Sequence, residues 1–361
     1  MGIHILDAMA REGFEEVVAI HDRASRLRAF LGIHDSSPGT AFGGIRRWTY
    51  RDEDQALRDC LRLSRAMSHK CALAGLPAGG AKLVILDRPD LDVSGAYRAI
   101  GDHVERLGGR FYTGPDVGTG DEELARVAER TRYVTDPGPA GPGQLAEATA
   151  EGVFAGMGAA LRHLDGTEDW SARTVVVQGL GEVGRGLVRR LVGVGARVKA
   201  AEIDPERALE AHDEFEIELI DPASEFDQRC DVFAPCALGG ILHDLSIARL
   251  QCRVVAGGAN NVLARSHHAE RLHEMGILYA PDFVLNSGAL IRGALFHLEG
   301  REEPVAAIGT RIGRTTAGIL DRARARAIAP ATLASEEAED VISERRRAAS
   351  REPNPGPTRL V

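Results

Sequence analysis

Directly after the apolar run TVVVQ, the chain sets Gly179, Gly181 and Gly184 in the order GxGxxG and then continues in a helical pattern. That strand, turn and helix constrain the fold more than any other segment. The alternation is kept up downstream. ARVKAAE, CDVFAP, CRVVAGG and ILYAPDFV read as short apolar strands, with helices expected after Gly181 and after Asp204. Short apolar strands separated by helices predict an α/β fold with a parallel, doubly wound sheet, a Rossmann unit.

In such a unit the first glycine makes a tight turn, the second lets a pyrophosphate approach backbone N–H groups, and the third allows close helix packing. The second strand ends at Glu202, at the distance where an acid reaches ribose hydroxyls. A carboxylate there disfavours a 2′-phosphate, so NAD is expected rather than NADP. Gly179, Gly181, Glu182, Val183, Gly184 and Glu202 are the candidate cofactor residues. Asp204 is the rival acid, but it precedes Pro205 and is read as the N-cap of the next helix.

The N-terminal part is organised differently. EEVVAIHD and LRAFLGIHD read as paired strands. A helix is expected from about Asp52, its N-cap, with Leu57, Cys60, Leu61, Ser64, Met67 and Cys71 along one face. Lys70 closes that helix, and twelve residues on, after KCALAGLPAGGAK, stands Lys82; Asp116 follows among turn residues in TGPDVGT. A lysine in a groove of glycine and apolar residues is desolvated, and a second ammonium nearby disfavours its charge further. Both effects favour a neutral amine that acts as a base while the other lysine pairs with a carboxylate. The alternatives are two surface lysines and a turn-capping aspartate. The chain carries its basic charge overwhelmingly on arginine, however, so a retained lysine suggests a titratable amine.

DPGPAGPG, from Asp136 to Gly143, is the strongest interior breaker and is read as a hinge. The expected organisation is an N-terminal α/β domain over 1–137, a Rossmann domain over 144–325, and a C-terminal segment, 326–361, whose helix returns to the first domain and ends in a disordered Pro-rich tail. Arg345, Arg346 and Arg347 form the only basic cluster and are read as a solvated helix end. The formal charge of −9 argues against nucleic acid as a partner. No stretch is long and apolar enough for a membrane span, and the N-terminus lacks the pattern of a secretory signal, so a cytoplasmic location is expected. Five cysteines without CxxC spacing are expected as free thiols, with no structural metal.

The segments GTAFGGIRRW, MSHKCALAGLPAGGAK, GPDVGT, VQGLGEVG, APCALGG, AGGANN and ILYAPDFVLNSG, in this order, resemble the glutamate, leucine, phenylalanine and valine dehydrogenase family over nearly the whole chain. They are most similar to its leucine and phenylalanine members. The resemblance implies an N-terminal substrate-binding and oligomerisation domain beside the NAD-binding domain, with a cleft between them that closes at the hinge. It implies a homo-oligomer acting on a small amino-acid or 2-oxo-acid substrate and ammonia. It also implies that Lys70 binds the substrate α-carboxylate, Lys82 activates water and Asp116 shuttles protons to and from the amine. Gly43 and Gly44 match the glycine pair beside the substrate, and Asn260 and Asn261 an asparagine pair near nicotinamide and substrate. Asn286 matches the asparagine opening the next helix, Thr149 a threonine facing the nicotinamide amide, and Ala237 lies in the cofactor-side segment APCALGG.

In glutamate dehydrogenases a lysine precedes the glycine pair, whereas Phe42 stands here. A ring cannot compensate a buried carboxylate, so an apolar amino acid is expected. Gly114 and Leu290 are the pair that resembles phenylalanine dehydrogenases, which favours an aromatic substrate, with leucine or valine next. One or two methyl groups limit selectivity to about 1–3 kcal/mol, so overlapping activities are expected. Where the family has a PSPVTA-like segment this chain has LAEATA, and Glu147 there is the one feature that hints at an alternative, a biosynthetic member acting on a particular aromatic 2-oxo acid. A second alternative is a non-catalytic NAD or amino-acid sensor, against which the intact Lys70, Lys82 and Asp116 argue.

Overall fold

The computed structural model describes residues 4–136, 138 and 140–351. They divide into two compact units, one made of residues up to Gly143 together with those from Glu337 onward, the other of Gln144–Glu336. The division falls at the last residue of DPGPAGPG. Pro137 and Pro139 of that segment lie outside the described residues, as does the expected disordered tail from Glu352 on.

In the first unit, helix α1 (Ile5–Glu12) precedes β1 (Glu16–Asp22) and β2 (Leu27–Asp35), which pair as expected and run antiparallel. There follow β3 (Ala41–Trp48), α2 (Glu53–Leu73), β4 (Gly79–Leu86), α3 (Val93–Arg106), β5 (Phe111–Gly114) and α4 (Asp121–Ala128). The sheet runs β1-β2-β4-β3-β5, with β3 parallel to both of its neighbours. Period-two alternation decides which side chains meet. Odd-numbered Leu31, Ile33, Ile45, Ala81, Leu83 and Phe111 enter a core with Tyr97 and Ile100 of α3. Even-numbered Phe42, Gly44, Arg46, Gly80 and Lys82 therefore share the opposite face.

Helix α2 lies on that second face. Asp52 caps it, accepting the Gln55 N–H at 2.8 Å, and Leu57, Cys60, Leu61, Ser64 and Cys71 are buried along the expected stripe. It approaches β4 so closely that a Cβ at Gly80 would stand 2.0 Å from Ser68 N. The last helix, α13 (Pro330–Ala349), adds its C-terminal part to this unit. Arg345 donates to Ala78 O at 3.2 Å, and Arg346 to His34 O at 2.5 Å and to Asp35 Oδ1 at 3.3 Å. Two of the three arginines expected on a solvated helix end instead clamp the end of β2 and the entry to β4.

The second unit opens with α5 (Leu145–Asp165). Six parallel strands follow, β6 (Thr174–Gln178), β7 (Arg197–Ala201), β8 (Glu218–Leu219), β9 (Arg229–Pro235), β10 (Gln251–Val255) and β11 (Leu278–Tyr279), in the order β11-β10-β9-β6-β7-β8. Numbered from β6, this is the doubly wound order 6-5-4-1-2-3, and the chain switches direction between β6 and β9, where such sheets bind their ligands. Helices α6 (Glu182–Gly193), α7 (Pro205–Phe215), α8 (Asp244–Ile247), α9 (His268–Glu274), α10 (Asp282–Leu285), α11 (Gly288–Glu299) and α12 (Val305–Arg326) complete the unit. ILYAPDFV is strand only at Leu278–Tyr279: beyond it Pro281 lacks the N–H a ladder requires and Asp282 begins a helical turn.

Candidate active site

Lys82 lies in a row of glycines that only the strand register reveals. β2 pairs Gly32 with Lys82, the β3/β4 register carried through Phe42↔Gly80 and Ile45↔Leu83 brings Gly44 alongside, and β5 pairs Gly114 with Gly44. The lysine side chain is 7% exposed and reaches Asp116 Oδ2 at 2.8 Å. Its path crosses Gly44, where a Cβ would stand 3.1 Å from Lys82 Nζ, 3.1 Å from Asp116 Cβ and 2.4 Å from Pro115 O. No side chain fits at Gly44 without pushing lysine and aspartate apart.

Asp116 opens a tight turn closed by Thr119 N donating to Asp116 O at 2.9 Å, with Gly118 at φ +75°, the left-handed value of the third position of a type II turn. β3 holds this turn from two sides. Arg47 N donates to Val117 O at 2.9 Å and Arg47 Nε to Gly118 O at 3.1 Å, while Arg46 Nε donates to Asp116 Oδ2 at 2.9 Å. The Tyr97 hydroxyl, from α3, adds a bond to Gly118 O at 3.2 Å. Burial opposes ionisation of Asp116, but the Lys82 ammonium and the Arg46 guanidinium outweigh it and hold the carboxyl far below the usual carboxylate range. Arg46 and Tyr97 did not stand out in the sequence. The available signal was strand alternation, which puts Arg46 two residues after Gly44 and so on the same face.

Lys70 sits in the last turn of α2, half-buried, on the helix that packs over Gly80. Beside Lys82 stands the Asp116 carboxylate, whose Oδ2 the Arg46 guanidinium also contacts. Gly43 is required by packing, since a Cβ there would meet Ala81 O at 1.7 Å. Phe42 is buried and stacked on Tyr112, ring centroids 5.0 Å apart and planes nearly parallel, so the strand beside Lys82 carries an aromatic pair. The methyl absent at Gly114 does not leave open space. A Cβ there would stand 2.9 Å from Thr135 Oγ1, and that hydroxyl, donated to Thr113 O at 3.2 Å, fills the position.

The second unit carries the nucleotide features. Gly179 follows β6 at φ +88°, and a Cβ on it would collide with Ala237 Cβ at 2.7 Å; a Cβ on Gly184 would lie 2.0 Å from Gly179 O. Gly181, by contrast, faces open space and is the N-cap of α6 without a side-chain cap, which leaves the N–H groups of Glu182 and Val183 for an anion. Glu202 is 4% exposed at its side chain and braces the loop, accepting from Leu180 N at 2.7 Å and Asp204 N at 3.0 Å. Asp204 caps α7 through the Glu206 and Arg207 N–H groups. An open glycine cradle at the sheet's switch point, with an acid behind it, fits a dinucleotide.

The asparagines gather nearby within this unit. Asn286 Nδ2 donates to Asn260 Oδ1 at 3.0 Å and Ala259 O at 3.1 Å, and Asn286 Oδ1 is buried with no protein partner. Asn261 adopts φ +52° and accepts from Gly240 N at 2.8 Å. Thr149 Oγ1 donates to Leu145 O at 3.0 Å and accepts from Ala289 N at 3.2 Å, tying α5 to the start of α11, which carries half-buried Leu290. Glu147 pairs with Arg189 at 3.0 Å and Arg190 at 2.9 Å and stitches α5 to α6.

All five cysteines are free thiols. Asp244, His267 and His268 bring one ligand-type atom each within 4.8 Å. His268 Nδ1 accepts the Arg265 N–H at 3.1 Å, which leaves the ring proton on Nε2, facing Asp244 at 3.6 Å. At that distance the buried Nε2 makes no hydrogen bond within the protein.

A buried lysine–aspartate pair in one unit and a dinucleotide cradle in the other define the class, an NAD-linked oxidoreductase. Residues 15–133 match the family model described as Glu/Leu/Phe/Val dehydrogenase, dimerisation domain, and residues 166–275 match that of the S-adenosyl-L-homocysteine hydrolase NAD binding domain. The chain is 43% identical over 293 residues to leucine dehydrogenase of Thermoactinomyces intermedius, covering 80% of each. It is 38% identical over 326 residues to phenylalanine dehydrogenase of the same organism, covering 89% of each. The crystal structure of L-tryptophan dehydrogenase from Nostoc punctiforme superposes with a TM-score of 0.83 at 35% identity, over 95% of this chain and 99% of that one. The chain belongs to the Glu/Leu/Phe/Val dehydrogenase family and is an NAD-dependent amino-acid dehydrogenase.

Proposed function

We propose that this enzyme carries out the reversible oxidative deamination of apolar L-amino acids to 2-oxo acids and ammonia, with aromatic substrates such as phenylalanine favoured and branched-chain ones next. NAD, when bound, accepts hydride from the substrate α-carbon. The Gly179–Gly184 loop and the first turn of α6 hold its pyrophosphate, Glu202 its ribose, and Thr149, Ala237, Asn260 and Asn286 line the nicotinamide side. Lys70 pairs with the substrate carboxylate. Lys82, as the neutral amine, takes a proton from water as the water oxygen bonds to the iminium carbon. Asp116, ionised in the resting pair, takes a proton from the substrate ammonium and returns one to the nitrogen of the water adduct, whose C–N bond then breaks to release ammonia while its hydroxyl proton passes to solvent and the carbonyl forms. An amine that must accept a proton has to be neutral first, so deamination speeds up as the pH rises.

The observation that carries this reading is the 2.8 Å contact between Lys82 and Asp116 across the side-chain-free Gly44. The stacked Phe42 and Tyr112 rings, with Gly43, Gly44 and Gly114 beside them, favour an apolar side chain. Leu290 and Asn261 are the remaining residues of the proposal that are assigned to the substrate. With Thr135 in the position that Gly114 vacates, aromatic preference rests on the ring stack rather than on a missing methyl. Glu147, the feature that suggested a specialised biosynthetic role, is engaged by two arginines of α6. The related leucine, phenylalanine and tryptophan dehydrogenases also support an apolar substrate, and the matched dimerisation-domain model supports a homo-oligomer. NADH formation with a panel of L-amino acids tests the proposal: kcat/KM should rank phenylalanine, leucine, methionine and valine well above glutamate. A preference for glutamate would refute it.

A further inference from the structure

Arg46 stands between two carboxylates. Its Nε donates to Asp116 Oδ2 at 2.9 Å, the same oxygen that Lys82 Nζ approaches at 2.8 Å, and its NH1 donates to Asp59 Oδ2 at 3.1 Å. The guanidinium is largely buried, with 17% of the side chain exposed, and Asp59 is fixed in turn by the Tyr50 hydroxyl at 2.7 Å and Arg62 at 2.6 Å. Three elements meet here: β3 supplies Arg46, with Tyr50 just beyond it; β4 supplies Lys82; α2 supplies Asp59, Cys60 and Arg62. The strand leaves Arg46 little choice of direction, because Ile45 occupies the core face and Arg47 binds the turn's carbonyl oxygens.

A carboxylate with one cation as its sole partner binds that cation firmly, and an ammonium so held gives up its proton reluctantly. The reaction requires Lys82 to be neutral for part of each cycle. We propose that Arg46, braced by Asp59, is a positioning residue that shares the charge of Asp116 with Lys82, so that the lysine is released from its ion pair at a lower pH than it would be with Asp116 alone. The inference rests on the reading of Lys82 as the base and Asp116 as its proton partner. Arginine suits the task, since it remains charged throughout and its planar fork contacts Asp116 and Asp59 together. The acid on its far side fixes where the fork points, which a free arginine on a strand face would not do.

The test combines two readouts on the full-length wild type and on R46Q, R46K and D59N. The first is the pH dependence of kcat/KM for oxidative deamination of phenylalanine or leucine. The second needs no substrate or cofactor: competitive labelling of Lys82 with acetic anhydride across a pH series, followed by mass spectrometry of its peptide. In R46Q both the rise in kcat/KM and the labelling midpoint should move up by about one pH unit, so that at a fixed pH on the rising limb kcat/KM falls about ten-fold. R46K, which keeps the charge but loses the fork, should move less, and D59N should move in the same direction by a smaller amount. A merely structural role would lower activity equally at every pH and leave the labelling midpoint in place. That pattern in folded R46Q overturns the proposal; if R46Q does not fold, unchanged profiles in R46K and D59N overturn it. A shifted labelling midpoint in a wild type that turns over no amino acid would sink the catalytic reading instead and leave the charge sharing intact.

Discussion

At the residue scale the chemistry depends on one absent side chain as much as on three present ones. Of the three lysines in the chain, Lys199 pairs with Glu218 at 3.0 Å at the surface, whereas Lys82 is buried against Asp116. Gly44 is what lets that second contact form. G44A would place a methyl 3.1 Å from Lys82 Nζ and 2.4 Å from a backbone oxygen that cannot yield cheaply. The overpacking should destabilise the first unit by about 1–3 kcal/mol, and the displaced amine should lower kcat/KM by roughly 100-fold. Thermal melting and steady-state rates with phenylalanine check both. A variant with wild-type rates would show that the 2.8 Å geometry is not the working one. Lys82 and Asp116 were legible in the sequence because lysine is rare there and the aspartate sits in a glycine turn. Arg46 was hidden among arginines, since residue type alone does not separate an arginine that braces a carboxylate from one in solvent.

At the element scale, helices and their caps could be read locally and the strand neighbourhoods could not. Asp52, Asp204 and the α2 stripe follow from spacing within one element. The glycine row through Gly32, Lys82, Gly44 and Gly114 depends on pairings between strands tens of residues apart, which no local pattern encodes. The same holds for α13, whose arginines looked solvated until β2 and the entry to β4 were placed beneath them. Its other anchor is Glu339, which accepts from His69 at 2.8 Å and Arg65 at 2.8 Å. The bond from His69, helped by the Arg65 guanidinium and opposed by burial, lowers the Glu339 carboxyl from 4.5 to about 2. A carboxyl depressed in the folded state stabilises fully above its unfolded pKa, and that contribution is lost as the pH falls through the folded value. The hold of α13 on α2 should therefore weaken between pH 4.5 and about 2. E339Q should be less stable than wild type at neutral pH and show a shallower loss across that window, read by denaturant unfolding at stepped pH. Parallel curves for the two proteins would contradict it.

At the scale of the whole molecule, one unit carries the buried lysine–aspartate pair and the other the glycine cradle. The doubly wound order was foreseeable from the alternation of short apolar runs with helices. Two details escaped it: the two-residue β8 at the sheet edge, and the turn at Asp282 that ends β11. Both are short enough for neighbouring strands and a proline to decide them. Because the units carry separate functions, loss of the base should leave nucleotide binding intact. The most direct measurement compares wild type and K82A for NADH formation from phenylalanine and leucine at alkaline pH, with NADH affinity followed in parallel by fluorescence. Wild type should turn over, and K82A should bind NADH as tightly while its kcat falls by about 10²–10⁴. Equal rates in the two proteins, or a wild type that oxidises no amino acid, would contradict the assignment of Lys82 as the base of an amino-acid dehydrogenase.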